Sequence, residues 1–496
     1  MSFKKNIFYS IILLITILVF FVLGEQNRNW SQNADQELTL AYNALLINSG
    51  FNQEYLDHPG FFTIQLLALL IKIKFYLKIS SIKDLSDLNS SSNLFAGFSD
   101  IVETAHFLAF FCTAILILAI FIYCSLKLKD GFSAFLIALA LLSSNAVIIH
   151  YITLRTEMIA ALLLLSSLLI FFRSVNHEER NAVSLYFALV LFFFALLNKT
   201  QIIFYCPLYF FWIINFRPIA NKANHVLFLE RTEIKEGLLA SFLCYLFFML
   251  TAKGISIAFN FIYISSLFGL VYIYWRTNGG NLAKQIYSFS LCYLIAYLTT
   301  FLFVNHIHGY QKELFTLIIN PIEMSTYLND GVKKLNWSEE MTFFQFINTL
   351  YQSMLSPSFG FLTSLNSVSF LFYLNLFILC FKKATKAAKV KVLISLVCFS
   401  LIIIITSFRG IDNKYFIFSE FILILTLIDQ IVSLKFKKLF CFLIFFSFLS
   451  FNFNTIKKQI LNKSSNITQL CTDSYISDWH KRINLEAFYT SCKNPH

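Results

Sequence analysis

Long apolar runs separated by short polar breaks set the rhythm of this 496-residue chain. A helix needs about 20 apolar residues to cross a bilayer. Runs of that kind fall at roughly 6–24, 101–125, 131–149, 156–172, 182–197, 201–216, 237–252, 255–275, 286–304, 359–380, 391–407, 415–433 and 439–453. The pattern predicts an all-α polytopic membrane protein with 13 transmembrane helices. No small-residue cleavage pattern follows the first run, so it is expected to remain as a helix.

One stretch resists the count. "FFTIQLLALLIKIKFYLKI", residues 61–79, is long enough to span but carries Lys72, Lys74 and Lys78. The positive-inside rule decides between the two readings. If 61–79 does not span, the basic loops alternate to one side: Lys127 and Lys129, then Lys382 to Lys391, then Lys435 to Lys438. If it does span, the bias inverts. The segment is therefore expected to be an amphipathic interfacial helix. The N-terminus is then cytoplasmic and the C-terminus extracytoplasmic, in a multi-pass protein of the inner or plasma membrane. A first outer loop (25–100), a second (305–358) and a tail (454–496) extend from a membrane domain of residues 1–453.

Composition narrows the classes. The chain is 57% hydrophobic and 13% charged, with 60 Phe, which excludes an ordinary soluble domain. Its net charge of +12 fits basic cytoplasmic loops, and no nucleic-acid partner is expected. Eight of the ten Cys lie in or beside apolar runs, where Cys acts as a small hydrophobe. Cys471 and Cys492 lie in the outer tail, where a disulfide is expected to close it.

Polar residues cluster on the outer side of this topology. The first loop holds "NADQELTLAYNALLINSGFNQEYLDHPGFF", with Asp35, Glu37, Asp57 and His58. Arg155 and Glu157 start the fourth helix in "YITLRTEMIA", and Lys199 sits in "LLNKTQ". His306 and His308 open the second loop, and "FRGIDNKYF" brings Arg409, Asp412 and Lys414. A basic residue at a helix end ordinarily snorkels to the interface. Glu157 at the mouth of an apolar helix, and acids between two membrane elements, are harder to explain that way.

The order of these elements resembles the GT-C superfamily of polyprenyl-phosphate-sugar glycosyltransferases, nearest the bacterial protein O-mannosyltransferase-like and lipid A aminoarabinose transferase-like enzymes. The likeness rests on "DQELTLAYNALLINSG", "DHPGFFTIQLLALL", "LRTEM", "LLNKTQ" and "RGIDNKYFIFSEFILIL", over about residues 1–210 and 409–433. Gln36 separates the two acids that are often adjacent in that family, and Pro59-Gly60 stands where Pro-Pro is common.

The resemblance implies an inverting transfer of a sugar from a polyprenyl-phosphate donor to a lipid, glycan or protein acceptor on the outer face, among membrane lipids. Asp35 matches the catalytic base, with Glu37 as its alternative. His58, Arg155, Lys199, Arg409 and Lys414 are the cations expected at the donor phosphate. Arg155 has a second expected role in orienting Glu157. Asp57, Glu157 and His306 or His308 would suit a divalent metal such as magnesium or manganese, which the sequence does not require. A flippase for the same lipid is the competing reading, since it too needs outer cations.

Overall fold

A computed structural model of the chain describes residues 3–27, 37–54, 60–176, 182–210, 281–308, 345, 348, 351–364, 366–379, 386–407, 413–432, 434–461 and 482–483. Among them the regular structure is helical, with no strand. Three helical stretches are long and apolar enough to cross a membrane: Lys5–Asn27, Leu94–Leu128 and Lys437–Leu461. Two further candidates are bent pairs of helices, so 13 straight spans are not what the described residues display. The runs expected at 237–252 and 255–275 lie outside the described residues.

The chain divides into two compact units, residues 1–162 with 438–496, and residues 163–437. In the first unit, α1 (Phe3–Asn27), α5 (Leu94–Leu128), α6 (Gly131–Leu142) and α15 (Lys437–Ile456) are the membrane-type helices. α7 (Asn145–Tyr151) follows α6 after a 69° bend. Ser144 makes that bend, its hydroxyl accepting from Val147 N–H at 3.1 Å to cap α7. Ile148, Ile456 and Ile460 pack together against Phe20, Leu23 and Leu449, joining α7, α1 and the end of α15.

Polar side chains inside these apolar helices satisfy themselves locally, as a low-dielectric surrounding demands. Thr16 donates to Ile12 O at 2.9 Å, Thr113 to Ala109 O at 2.8 Å and Asn452 to Phe448 O at 2.8 Å. Each is a bond back to the carbonyl four residues earlier.

Three short helices fill the connection from α1 to α5: α2 (Glu37–Asn48), α3 (Phe61–Tyr76) and α4 (Leu85–Ser90). α3 has 16 residues, about 24 Å at 1.5 Å per residue, and so falls short of a hydrocarbon core of about 30 Å. Pro59 is followed by Gly60, whose φ of 51° lies in the left-handed region that a residue with a Cβ resists. One face of α3 buries Phe61, Ile64, Leu67, Ala68 and Ile71, while the other exposes Leu66, Leu69 and Ile73. The expected amphipathic helix is therefore apolar on both faces, and its charge is confined to the end. There Lys74 pairs with Asp100 at 2.5 Å and donates to Thr104 at 2.9 Å.

The short helices are tied by side chains. Asn48 donates to Ala68 O at 3.0 Å and Lys83 O at 2.9 Å, and Leu85 N–H donates to Ser49 Oγ at 3.0 Å. Gly97 lets α4 close on α5, because a Cβ there would stand 2.8 Å from both Ile82 and Leu88 side chains.

The second unit holds the greater part of α8 (Thr156–Asn176), with α9 (Ala182–Asn198), a 3-10 segment (Thr200–Phe210) and α10 (Asn281–His308). α11 (Ser356–Thr363), α12 (Ser367–Leu379), α13 (Lys386–Ser407) and α14 (Ile417–Ile431) complete it. α11 and α12 meet at an 85° bend, where Asn366 Oδ1 accepts from Ser369 N–H at 2.8 Å. α14 is buried on nearly every side.

Candidate functional site

The chemistry of the first unit gathers where α1 ends and α2 begins. Glu37 opens α2, a position where a carboxylate suits the helix dipole. Its side chain turns inward and is only 1% exposed. Oε1 accepts the Leu154 N–H at 2.5 Å and lies 3.0 Å from His106 Nε2. The other ring nitrogen, Nδ1, lies 2.7 Å from Glu25 Oε1. The ring thus stands between two carboxylates, at ion-pair distance but without hydrogen-bond alignment. Glu37 Oε2 is buried and has no hydrogen-bond partner among the described residues.

Helix length explains why these groups meet. Leu128 ends α5, and His106 lies 22 residues before it, about 33 Å along the axis and so near the far edge of the hydrocarbon layer. Glu25 lies 20 residues beyond Lys5 on α1, about 30 Å by the same rise. Gly24 allows the close approach, since a Cβ there would meet Ile152 Cγ2 at 2.9 Å. The 152–155 connection between α7 and α8 is thereby pressed against the end of α1.

Leu154, whose N–H is held by Glu37, is followed by Arg155. Arg155 Nε lies 3.6 Å from Glu157 Oε2, and Thr156 Oγ1 donates to the same oxygen at 3.4 Å. Arg155 and Glu157 are both buried, at 3% and 0% exposure, so neither is a solvated helix-end charge. Among the described residues singled out in the sequence, Glu37, Arg155 and Glu157 fall in this region.

A second contact set forms the rim. Tyr42 OH donates to Glu54 Oε2 at 2.9 Å, and Glu54 N–H donates to Asn43 Oδ1 at 2.9 Å. Arg482 Nε reaches Glu54 Oε1 at 2.9 Å while its guanidinium lies 4.1 Å from the centre of the Phe51 ring. Asn89 Nδ2 donates to Arg482 O at 3.1 Å. The tail at residue 482 therefore sits on the first-loop helices.

Lys199, His306, His308 and Lys414 belong to the second unit. Lys199 is buried at 1% exposure just after α9. His306 is exposed on α10, and His308 is the last residue of that helix. Lys414 lies in a 3-10 turn, Asn413–Phe416. Asp35, Asp57, His58, Arg409, Asp412, Cys471 and Cys492 lie outside the described residues, so the expected base, Asp57 of the metal set and the tail disulfide have no geometry here. Among the described residues no three His, Cys, Asp or Glu gather as metal ligands. The six described cysteines form no disulfide with one another, and five of them are buried.

Sequence reasoning passed over Glu25, His106 and Glu420. Each interrupts or ends an apolar run, which is the signal that an intramembrane ionisable group gives. Glu420 on α14 is fully buried and accepts the Ser367 hydroxyl at 2.6 Å. Comparison with protein-family models, with curated proteins and with solved structures finds no match to this chain.

Proposed function

We propose that the chain is an inverting glycosyltransferase that uses a polyprenyl-phosphate sugar and acts at the outer face of the membrane. The observation that carries the reading is the buried Glu37 at the start of α2, joined to His106 and to the backbone that presents Arg155. A short helix that opens on an acid, packed at the ends of membrane helices and followed by a second short apolar helix, is what the resemblance leads one to expect. In this reading α3 lies in the interface and presents Leu66, Leu69 and Ile73 to lipid.

The chemistry divides between a base and cations. Asp35 takes the proton of the acceptor hydroxyl while that oxygen attacks the anomeric carbon. The bond from that carbon to the phosphate oxygen breaks with inversion, and the polyprenyl phosphate departs. Cations stabilise the charge on the leaving phosphate, with Arg155 as the candidate among the described residues of the first unit. Both oxygens of Glu37 are buried and one is bonded to Leu154 N–H, so Glu37 suits a holding role better than attack on an acceptor proton.

The test is sugar transfer in liposomes. Asp35→Asn is expected to lower turnover by about 10²–10⁴-fold, with donor binding little changed. A fully active variant refutes the base. Topology supplies a second check: residue 90 and the tail should be labelled from the outer side, and residue 385 from the other. The tail contact through Arg482, Glu54 and Asn89 supports the first half of that expectation.

Specific features favour the competing reading, a flippase. The α6–α7 and α11–α12 bends, with a buried carboxylate on α14, are features that transporters use. Lipid crossing that needs this protein, in the absence of any sugar transfer, would decide for it.

A further inference from the structure

The acids of the first loop differ in what they can do, and His106 is the reason. Glu37 and Glu25 come from two helices, α2 and α1, and without the ring between them they would repel at close range in a poorly screened place. The His106 ring separates them, 2.7 Å from one and 3.0 Å from the other. Glu37 Oε1 is at the same time the acceptor for Leu154 N–H, one residue before Arg155. A single carboxylate oxygen therefore ties the first residue of α2 to α5 and to the entry of α8.

We propose that His106 and Glu37 are a positioning pair, which fixes the start of α2 relative to Arg155. The proposal rests on the transferase reading for what is positioned: Arg155, the cation that faces the donor phosphate. Such spacing governs rate, because a misplacement of about 1 Å far from the bond being broken can cost about 10²-fold. His106 acts through Glu37 and touches no substrate. Glu25, part-exposed at 29% while His106 and Glu37 are buried, closes the node on its solvent side.

The experiment has one arm that needs no turnover. Full-length protein in nanodiscs is labelled with ¹⁵N-histidine, and the His106 signals are assigned among nine histidines by their loss in His106→Asn. Glu37→Gln is expected to move the Nε2 resonance, and Glu25→Gln the Nδ1 resonance. No movement in either overturns the pair, whatever the protein catalyses. In the second arm His106→Asn and Glu37→Gln are each expected to lower kcat by about 10²-fold with the donor KM nearly unchanged. The double variant is expected to be no slower than Glu37→Gln alone, because His106 works through that carboxylate. Multiplying losses, or a rise in KM alone, overturn the proposal. A wild-type protein that transfers no sugar sinks the transferase reading instead, and the resonance arm still decides whether the pair exists.

Discussion

Two buried carboxylates, one in each unit, show two ways of keeping an acid inside an apolar protein. Glu37 sits where helix ends meet, and its oxygen is held by a backbone N–H and faces an imidazole. Glu420 lies in the first turn of a helix buried along its length, and accepts a hydrogen bond from the Ser367 hydroxyl. Its neighbours continue in the same manner. Ser419 and Tyr205 share a hydroxyl bond of 2.7 Å, and Thr426 donates to Asn375 Oδ1 at 3.1 Å, while Asn375 Nδ2 donates to Leu423 O at 3.1 Å. Neutral bonds of this kind join helix to helix, and either partner can be exchanged for another neutral group at modest cost. The Glu37 node joins helix ends and a loop through charge, so losing one member leaves others stranded.

The sharpest way to break this comparison is to treat the two acids alike. Glu37→Ala strips Leu154 N–H of its acceptor and leaves His106 beside Glu25 alone. The expected loss is about 3–5 kcal/mol, the range for removing one partner of a buried charged pair. Glu420→Ala takes away the acceptor of the Ser367 hydroxyl and is expected to cost about 1–3 kcal/mol, the range for leaving one buried donor unpaired. Equilibrium unfolding of the full chain in mixed micelles measures both. Equal losses would show that the two sites are built on the same principle after all.

What could be read from the sequence follows the same division. The spans at 6–24, 101–125 and 439–453 emerge as long apolar helices because run length alone determines them. A separate helix over 61–79 was legible, its interfacial reading resting on the charge bias of the loops, but the 16-residue length of α3 and its apolar outer face were not. The bend between α6 and α7 was written in Ser143-Ser144-Asn145 but was absorbed into one run, since a small cap hardly lowers average hydropathy. The node was out of reach in principle. Glu25, His106 and Leu154 are distant in sequence, and no periodicity says which helix ends will meet. Glu37 could be named but not its role, because that depends on Leu154 and His106.

The rim provides a weaker counterpart to the node. Arg482 joins Glu54 and covers Phe51, but its side chain is 45% exposed. An exposed ion pair is worth about 0–1 kcal/mol, and the cation over the ring about 0.5–1 kcal/mol. Arg482→Ala is therefore expected to cost about 1 kcal/mol, and the wild-type advantage should shrink at high salt. Unfolding of both proteins at low and high ionic strength measures it. A loss as large as that of Glu37→Ala would move the centre of the first unit from the node to the tail.

An effect no larger than that at Arg482 is expected at Asp84, which caps α4 by accepting from Ser86 N–H at 3.0 Å and Asp87 N–H at 3.2 Å. Burial alone would push this carboxyl up. The Asp87 N–H, the Lys83 ammonium at 3.2 Å and the Ser86 N–H outweigh burial and hold it below its ordinary value. The same contact raises Lys83, first through its bond to Asp84. The signs fix the pH window. A lowered carboxyl adds stability that is fully present above its unfolded value of about 3.9 and fades as pH falls through the folded value. Raised Lys83 adds stability that is present below its unfolded value and is lost as pH climbs past the folded one. Between those limits the cap should be insensitive to pH. Asp84→Ala is expected to cost about 1 kcal/mol at pH 7. Asp84→Asn keeps the acceptor oxygen and should cost less, while abolishing the acid limb of the profile. An Asn variant with that limb intact would assign the acid sensitivity to another carboxylate and leave Asp84 a cap by hydrogen bonding alone.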